Sequence, residues 1–237
     1  MLISPPNYIH AEALAELNET VELALDELEY FGPPIVLGAQ LAPNFVRSEA
    51  IIYNTEHPSS GWMTPSYQEV LSHHEVWDYH RQGVGKYVPI GFMPQLCRIL
   101  KPATQDIDVL FYGSRNKRRD NILAGLLSAG LKVKILTGVY GEERDNYIAR
   151  SKVVLNVHYY EPGIFEVVRV SYLWANAKCV VSEESPDSDF GVPYDDLVEA
   201  CLLRVRYPAW RTLEEEAGYD LFSAVSEVDI LRIALNL

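Results

Sequence analysis

From Ile107 to Ser182 the chain alternates short apolar runs with longer amphipathic stretches, and few folds accommodate that order. IDVLFYG, KVKIL, KVVLNV and CVVS are separated by KRRDNILAGLLSAG, GEERDNYIARS and FEVVRVSYLWANA. The runs are rich in Val, Ile and Leu without polar alternation, which is the pattern of strands buried on both faces. The spacing predicts strands over Val109–Tyr112, Val133–Leu136, Val153–Val157 and Cys179–Ser182, and helices over Arg118–Ser128, Glu142–Ala149 and Phe165–Asn176. A βαβ series of this kind makes a parallel sheet with helices on both faces.

The preceding residues carry the same alternation less regularly. After the turn-rich SPPN, AEALAELNETVELALDELEY sets Leu14, Leu17, Val21, Leu25 and Leu28 on one helical face. Strands are expected at Ile35–Leu37, Ala50–Asn54, EVWDYH and KYVPIG, with a short helix around Tyr67–Leu71 and a Pro/Ser/Gly-rich loop, HPSSGWMTP, between them. RILKPATQD, with Pro102 and several polar residues, reads as a linker near residues 95–106. PAWRTLEEEAGYDLFSAVS, near the end, reads as helical. The expected fold class is α/β, with two Rossmann-like domains, residues 1–97 and 98–237, facing a cleft that closes on ligand.

Composition narrows the function classes. A length of 237 residues at 48% hydrophobic supports one large core or two small ones. The net charge of -13 opposes general affinity for nucleic acid or anionic membrane, because phosphate contacts need Lys and Arg. The N-terminal stretch has no basic segment followed by an apolar one, and no run reaches the length of a membrane span. A cytoplasmic protein is expected. Cys97, Cys179 and Cys201 lack CxxC spacing and are odd in number, so they read as reduced thiols.

In doubly wound sheets ligands lie beyond the carboxyl ends of the strands, so the residues after each run are the candidates. Gly113 and Ser114 end the first strand, and Arg115, Lys117, Arg118 and Arg119 follow at a helix entry. Cations there oppose the helix dipole unless they serve an anion, which points to a phosphate grip; the bland alternative is a solvated basic turn. TGVYGEERD offers Gly138 and Gly141 for a tight turn beside a base edge, although Glu142 and Glu143 equally suit an ordinary first helical turn. HYYEPGIFEVVR places Tyr160, Glu161, Gly163, Glu166 and Arg169 after the third strand. An i,i+3 pair would account for Glu166 and Arg169 but not for Glu161, whose carboxylate is set to accept ribose or sugar hydroxyls, with Gly163 opening the backbone to a ligand.

These residues carry a resemblance. YGSRNK and YYEPGIFEVVRVSYLWANAKCVVSE are similar to the basic turn and the Glu-rich loop in the donor domain of group-1 GT-B glycosyltransferases. IIYNTEHP, EVWDYH and YVPIGFMPQL resemble segments of small bacterial and viral glycosyltransferase-like proteins. One departure stands out: the family's two Glu residues lie eight apart, and counting from Glu161 the second falls on Arg169. The resemblance implies transfer of a sugar from a nucleoside diphosphate sugar to a hydroxyl acceptor (glycan, protein or other), with neither metal nor further cofactor. Arg115 and Lys117 would then stabilise the leaving diphosphate. An inverting reaction needs a base, for which Glu56 and Asp78 are the candidates, with His57 and His80 behind them. His73, His74, Asp78 and His80 lack the spacing of a metal site. A sugar-nucleotide 2-epimerase and a non-catalytic nucleotide- or glycan-binding module are the alternatives.

Overall fold

The computed structural model describes residues 12–161 and 163–237. The turn expected at Ser4–Asn7 and the residue Pro162 lie outside them. Contacts divide the chain into two compact units: one runs through Met93 and includes Val225–Leu237, and the other is Pro94–Ala224. The division therefore gives the last segment to the first unit, whereas the sequence pattern places it with the second domain.

The first unit holds α1 (Ala15–Glu27), β1 (Ile35–Val36), β2 (Ile51–Asn54), α2 (Pro65–His73), β3 (Glu75–Asp78) and β4 (Lys86–Tyr87). Among the described residues its four strands are all parallel and lie in chain order, β1-β2-β3-β4. Thr64 caps α2 by accepting from the Tyr67 amide at 3.3 Å, and Pro65 sits in the first turn, where its missing N–H costs nothing. Ile35, Ile52, Tyr53, Tyr67 and Trp77 are fully buried, and the Tyr53 hydroxyl finds a partner in the Val88 carbonyl at 2.8 Å. The returning segment pairs Phe92 with Ser226.

In the second unit β5 (Ile107–Tyr112), α3 (Lys117–Ser128), β6 (Val133–Leu136), α4 (Gly141–Arg150), β7 (Ser151–Asn156), α5 (Val167–Ala175) and β8 (Val180–Ser182) follow the expected order. α6 (Leu197–Arg206) and α7 (Pro208–Ser223) come next, and α8 (Glu227–Leu235) belongs to the first unit. The four parallel strands lie in the order β6-β5-β7-β8. β5 therefore has β6 on one side and β7 on the other, and the order reverses between β5 and β7. Val109, Phe111, Val153, Leu155 and Val181 pack against Ile122, Leu123, Leu126 and Leu197 of α3 and α6. α5 begins at Val167, two residues later than the periodicity predicts, so Glu166 occupies its N-cap. α6 and α8 have no counterpart in the sequence reading. Among the described residues no helix is long and apolar enough to cross a membrane.

Candidate functional site

The turn after β5 opens at Gly113, whose φ of +132° is one that side-chain-bearing residues rarely adopt, and a Cβ there would stand 3.0 Å from Arg169 Nη2. Asn116 caps α3 by accepting from the Arg119 amide at 2.9 Å, and its Nδ2 donates to the Tyr159 carbonyl at 2.8 Å, tying the turn to the loop after β7. Ser114 and Arg115 are exposed, and Arg115 donates to Asp120 at 2.7 Å. Lys117 is the exposed first residue of α3.

Arg119 turns inward and is buried. Its Nε donates to the Val157 carbonyl at 2.8 Å, Nη1 to the Ser114 carbonyl at 2.9 Å and Nη2 to Glu166 Oε1 at 2.9 Å. One guanidinium thus bridges the ends of β5 and β7, where the strand order reverses. Burial pushes Arg119 down to about 10, against the pull of Glu166.

Glu166 is held from two sides. Its Oε2 meets Arg169 Nη1 at 3.1 Å, one helical turn on, and Arg169 Nη1 also donates to buried Asn156 at 2.9 Å. The i,i+3 pair is therefore present, with a second guanidinium added to it. Phe165, beside Glu166, fixes the loop: its amide donates to Asp187 at 3.0 Å and its ring lies 5.8 and 5.9 Å from those of Trp174 and Phe190.

A second cluster surrounds Arg118. Both its terminal nitrogens meet Glu183, just past β8, and its Nε donates to Glu161 at 2.7 Å. Its guanidinium carbon lies 4.0 Å from the centre of the Tyr194 ring. Glu183 is buried and also accepts from the His158 amide at 3.0 Å. Gly163 serves this packing, because a Cβ there would overlap the His158 ring. The space expected for a ligand beside Gly163 is thus occupied by an imidazole. Tyr160 stacks edge-on to Tyr159 at 4.9 Å between centroids.

The other expected residues have surroundings of their own. Gly138 adopts φ +68° with open space where a Cβ would be, and Glu142 and Glu143 lie in the first turn of α4, as an ordinary strand-to-helix turn requires. In the first unit Asp78 is buried and accepts from Asn54 Nδ2 at 2.8 Å, the His80 amide at 2.9 Å and the Val84 amide at 3.2 Å. The two amides tie Asp78 to the loop after β3, and Asn54 ties it to the end of β2. Glu56 is half-buried and accepts from Gln40 Nε2 at 2.9 Å. His73 and His74 are engaged by main-chain carbonyls of Glu69, Val70 and Arg47. Among the described residues no group of three or more His, Cys, Asp or Glu side chains is placed to hold a metal.

Arg118 and Arg119 were visible in sequence only as members of a basic turn, and His158 and Asn156 carried no signal of their own. Glu183 directly follows the apolar run CVVS, so the strand-end rule that selects Glu161 selects it too.

No known family's model matches the sequence. An uncharacterized protein of Acanthamoeba polyphaga mimivirus is 29% identical over 191 residues, covering 69% of this chain and 62% of its own length. Two further uncharacterized proteins of that virus are 33% and 35% identical over 47% and 42% of this chain. The chain spans 62% of the first relative and 14% of each of the others. Among solved structures, AviGT4, a glycosyltransferase involved in avilamycin A biosynthesis, superposes with a TM-score of 0.50 at 12% identity, over 100% of this chain and 94% of that one. The chain thus has a glycosyltransferase-like α/β fold.

Proposed function

We propose that the chain is a glycosyltransferase of GT-B type that moves a sugar from a nucleoside diphosphate sugar to a hydroxyl acceptor without a resident metal ion. The observation that carries this reading is the meeting of Arg118, Arg119 and Arg169 with Glu161, Glu166 and Glu183 beyond β5, β7 and β8, around the reversal of strand order. Ligands of open α/β sheets bind at such a reversal.

In this reading Gly113 and Ser114 let the diphosphate approach the turn, and exposed Arg115 and Lys117 offset the charge that develops on it. Glu161, which Arg118 holds before a donor binds, and Glu166, held by Arg119 with Arg169, accept hydroxyls of the ribose or sugar. Tyr160 and Gly163 shape that loop, and Gly138 lies where a base edge would pass. Of the two acids proposed as the base, Glu56 keeps acceptor capacity. The engagement of Asp78 by three donors within its own unit favours a second reading, a non-catalytic nucleotide- or glycan-binding module.

Incubation with uridine, guanosine and adenosine diphosphate sugars, followed for free nucleoside diphosphate, tests the proposal. Release that Glu166→Gln reduces supports transfer. Binding without release supports the module, and no binding of any donor overturns both.

A further inference from the structure

Arg118 has an inner edge and an outer edge, and they hold carboxylates of different character. Glu183, on the inner edge, has a side chain 7% exposed, engages both terminal nitrogens and is pinned in turn by the His158 amide. Glu161, on the outer edge, has a side chain 71% exposed and accepts from Nε alone. The flat face is fixed as well: it lies over Tyr194, whose hydroxyl donates to the Arg118 carbonyl at 2.7 Å. Glu183 and Tyr194 therefore hold the guanidinium in place whether or not Glu161 is present. Only the Nε contact is exchangeable, since an exposed ion pair is weak and screened by salt.

We infer that Glu161 is a displaceable counter-ion: in the empty site it occupies the Arg118 Nε position that a phosphate oxygen of the donor takes in the loaded one. The inference rests on the function proposed above and adds a selectivity to it. A phosphate arriving at Arg118 meets a carboxylate of its own sign, so Glu161 must leave before the cation is used. A ligand with one phosphate exchanges one anion for another there and gains little. In the reading proposed above, one with two adjacent phosphates also engages the exposed Arg115 and Lys117, which makes the exchange favourable. Glu161 thus favours diphosphates over monophosphates, and once released it has both oxygens free for donor hydroxyls.

Calorimetric titration of the full chain with inorganic pyrophosphate, and with the same nucleoside diphosphate sugars, tests this. Glu161→Gln keeps the shape of a mostly exposed side chain, so its melting temperature should match that of the unaltered protein. Its pyrophosphate affinity should rise roughly two- to fivefold, the weight of one exposed ion pair. Affinity that is equal or lower in Glu161→Gln, while the unaltered chain binds a nucleotide sugar, overturns the counter-ion and leaves the proposed function standing. If neither protein binds pyrophosphate or any nucleotide sugar, both fall.

Discussion

The two sheets are built from the same parts, yet their strand orders differ. In the first unit the strands follow the chain, β1-β2-β3-β4, and in the second they run β6-β5-β7-β8. A sequential sheet carries every crossover in one direction. A reversed one sends them opposite ways from β5 and β7, leaving the ends of those strands uncovered side by side. The acidic residues at the strand ends differ to match. Asp78 is closed by an amide side chain and two backbone amides of its own loop, whereas Glu166 and Glu183 are closed by guanidinium groups. Asp78 completes a loop, and the glutamates complete an array of charge at a reversal of strand order, where open α/β sheets in general bind their ligands.

The hardest test of that contrast is removal of the buried partner of Arg118. Glu183→Ala leaves a partly buried cation and the His158 amide without their acceptor, and should cost about 3–5 kcal/mol, the usual loss when one member of a buried pair is deleted. Asp78→Ala, which strands three donors, should cost about 3 kcal/mol. Urea unfolding measures both. The comparison breaks if Asp78→Asn weakens nucleotide binding as much as Glu183→Gln does.

A buried carboxylate without a cation should announce itself through pH. Glu227, at the start of α8, is fully buried, and among the described residues its Oε2 accepts from the Gly91 amide while Oε1 has no hydrogen-bond partner. Burial pushes it up from 4.5 to about 7, against the lowering effect of that amide. Because the folded state then binds more protons than the unfolded one, the contribution is fully present below 4.5 and is lost as pH rises toward 7. The loss should reach about 3 kcal/mol, the free-energy equivalent of that shift. Chemical unfolding at stepped pH should show this slope in the unaltered chain and lose it in Glu227→Gln. An unchanged slope in the variant would assign the effect to other groups.

Glu166 should give an intermediate effect. Read as a first-turn residue, it would lose a few tenths of a kcal/mol on substitution by Gln. Between Arg119 and Arg169 it should lose about 1–3 kcal/mol, as hydrogen bonds to charged groups do. Turnover should fall about tenfold or more beyond what unfolding explains, and Arg169→Ala should impair the same step less. Parallel measurement of melting temperature and donor turnover separates the two losses.

What the sequence disclosed follows from where each kind of information resides. The βαβ order of the second unit was legible because buried parallel strands need unbroken Val/Ile/Leu runs and their covering helices need one apolar face. The strand-end rule then pointed to the loops in which the arginine–glutamate clusters lie. It did not rank the cations within KRRD, because whether Arg118 or Arg119 turns inward depends on the Val157 carbonyl and on Glu183, which are 38 and 65 residues away. α6 and the return of α8 escaped for a related reason: their apolar residues face elements distant in the chain, and nothing local marks the pairing of Phe92 with Ser226. Gly163 misled because a glycine that admits a ligand and one that admits a histidine ring look alike in sequence.

The smallest effect on stability should come from the residues most exposed to a ligand. Arg115 makes one ion pair, with Asp120, at about half exposure of its side chain, and Lys117 is a surface residue of the first helical turn. Exposed pairs of this kind contribute little, and a cation near a helix N-terminus is mildly unfavourable, so replacing both with Ala should change stability by less than about 0.5 kcal/mol. Binding should respond differently. Two fewer cations beside a diphosphate should weaken nucleoside diphosphate affinity roughly tenfold at low salt and less at high salt, because screening already attenuates exposed charges. Titration calorimetry at two ionic strengths, with a melting curve for each protein, checks the pair of outcomes. Unchanged affinity at low salt would show that the turn after β5 is a solvated basic surface, and the contrast between the two sheets would then rest on the buried arginines alone.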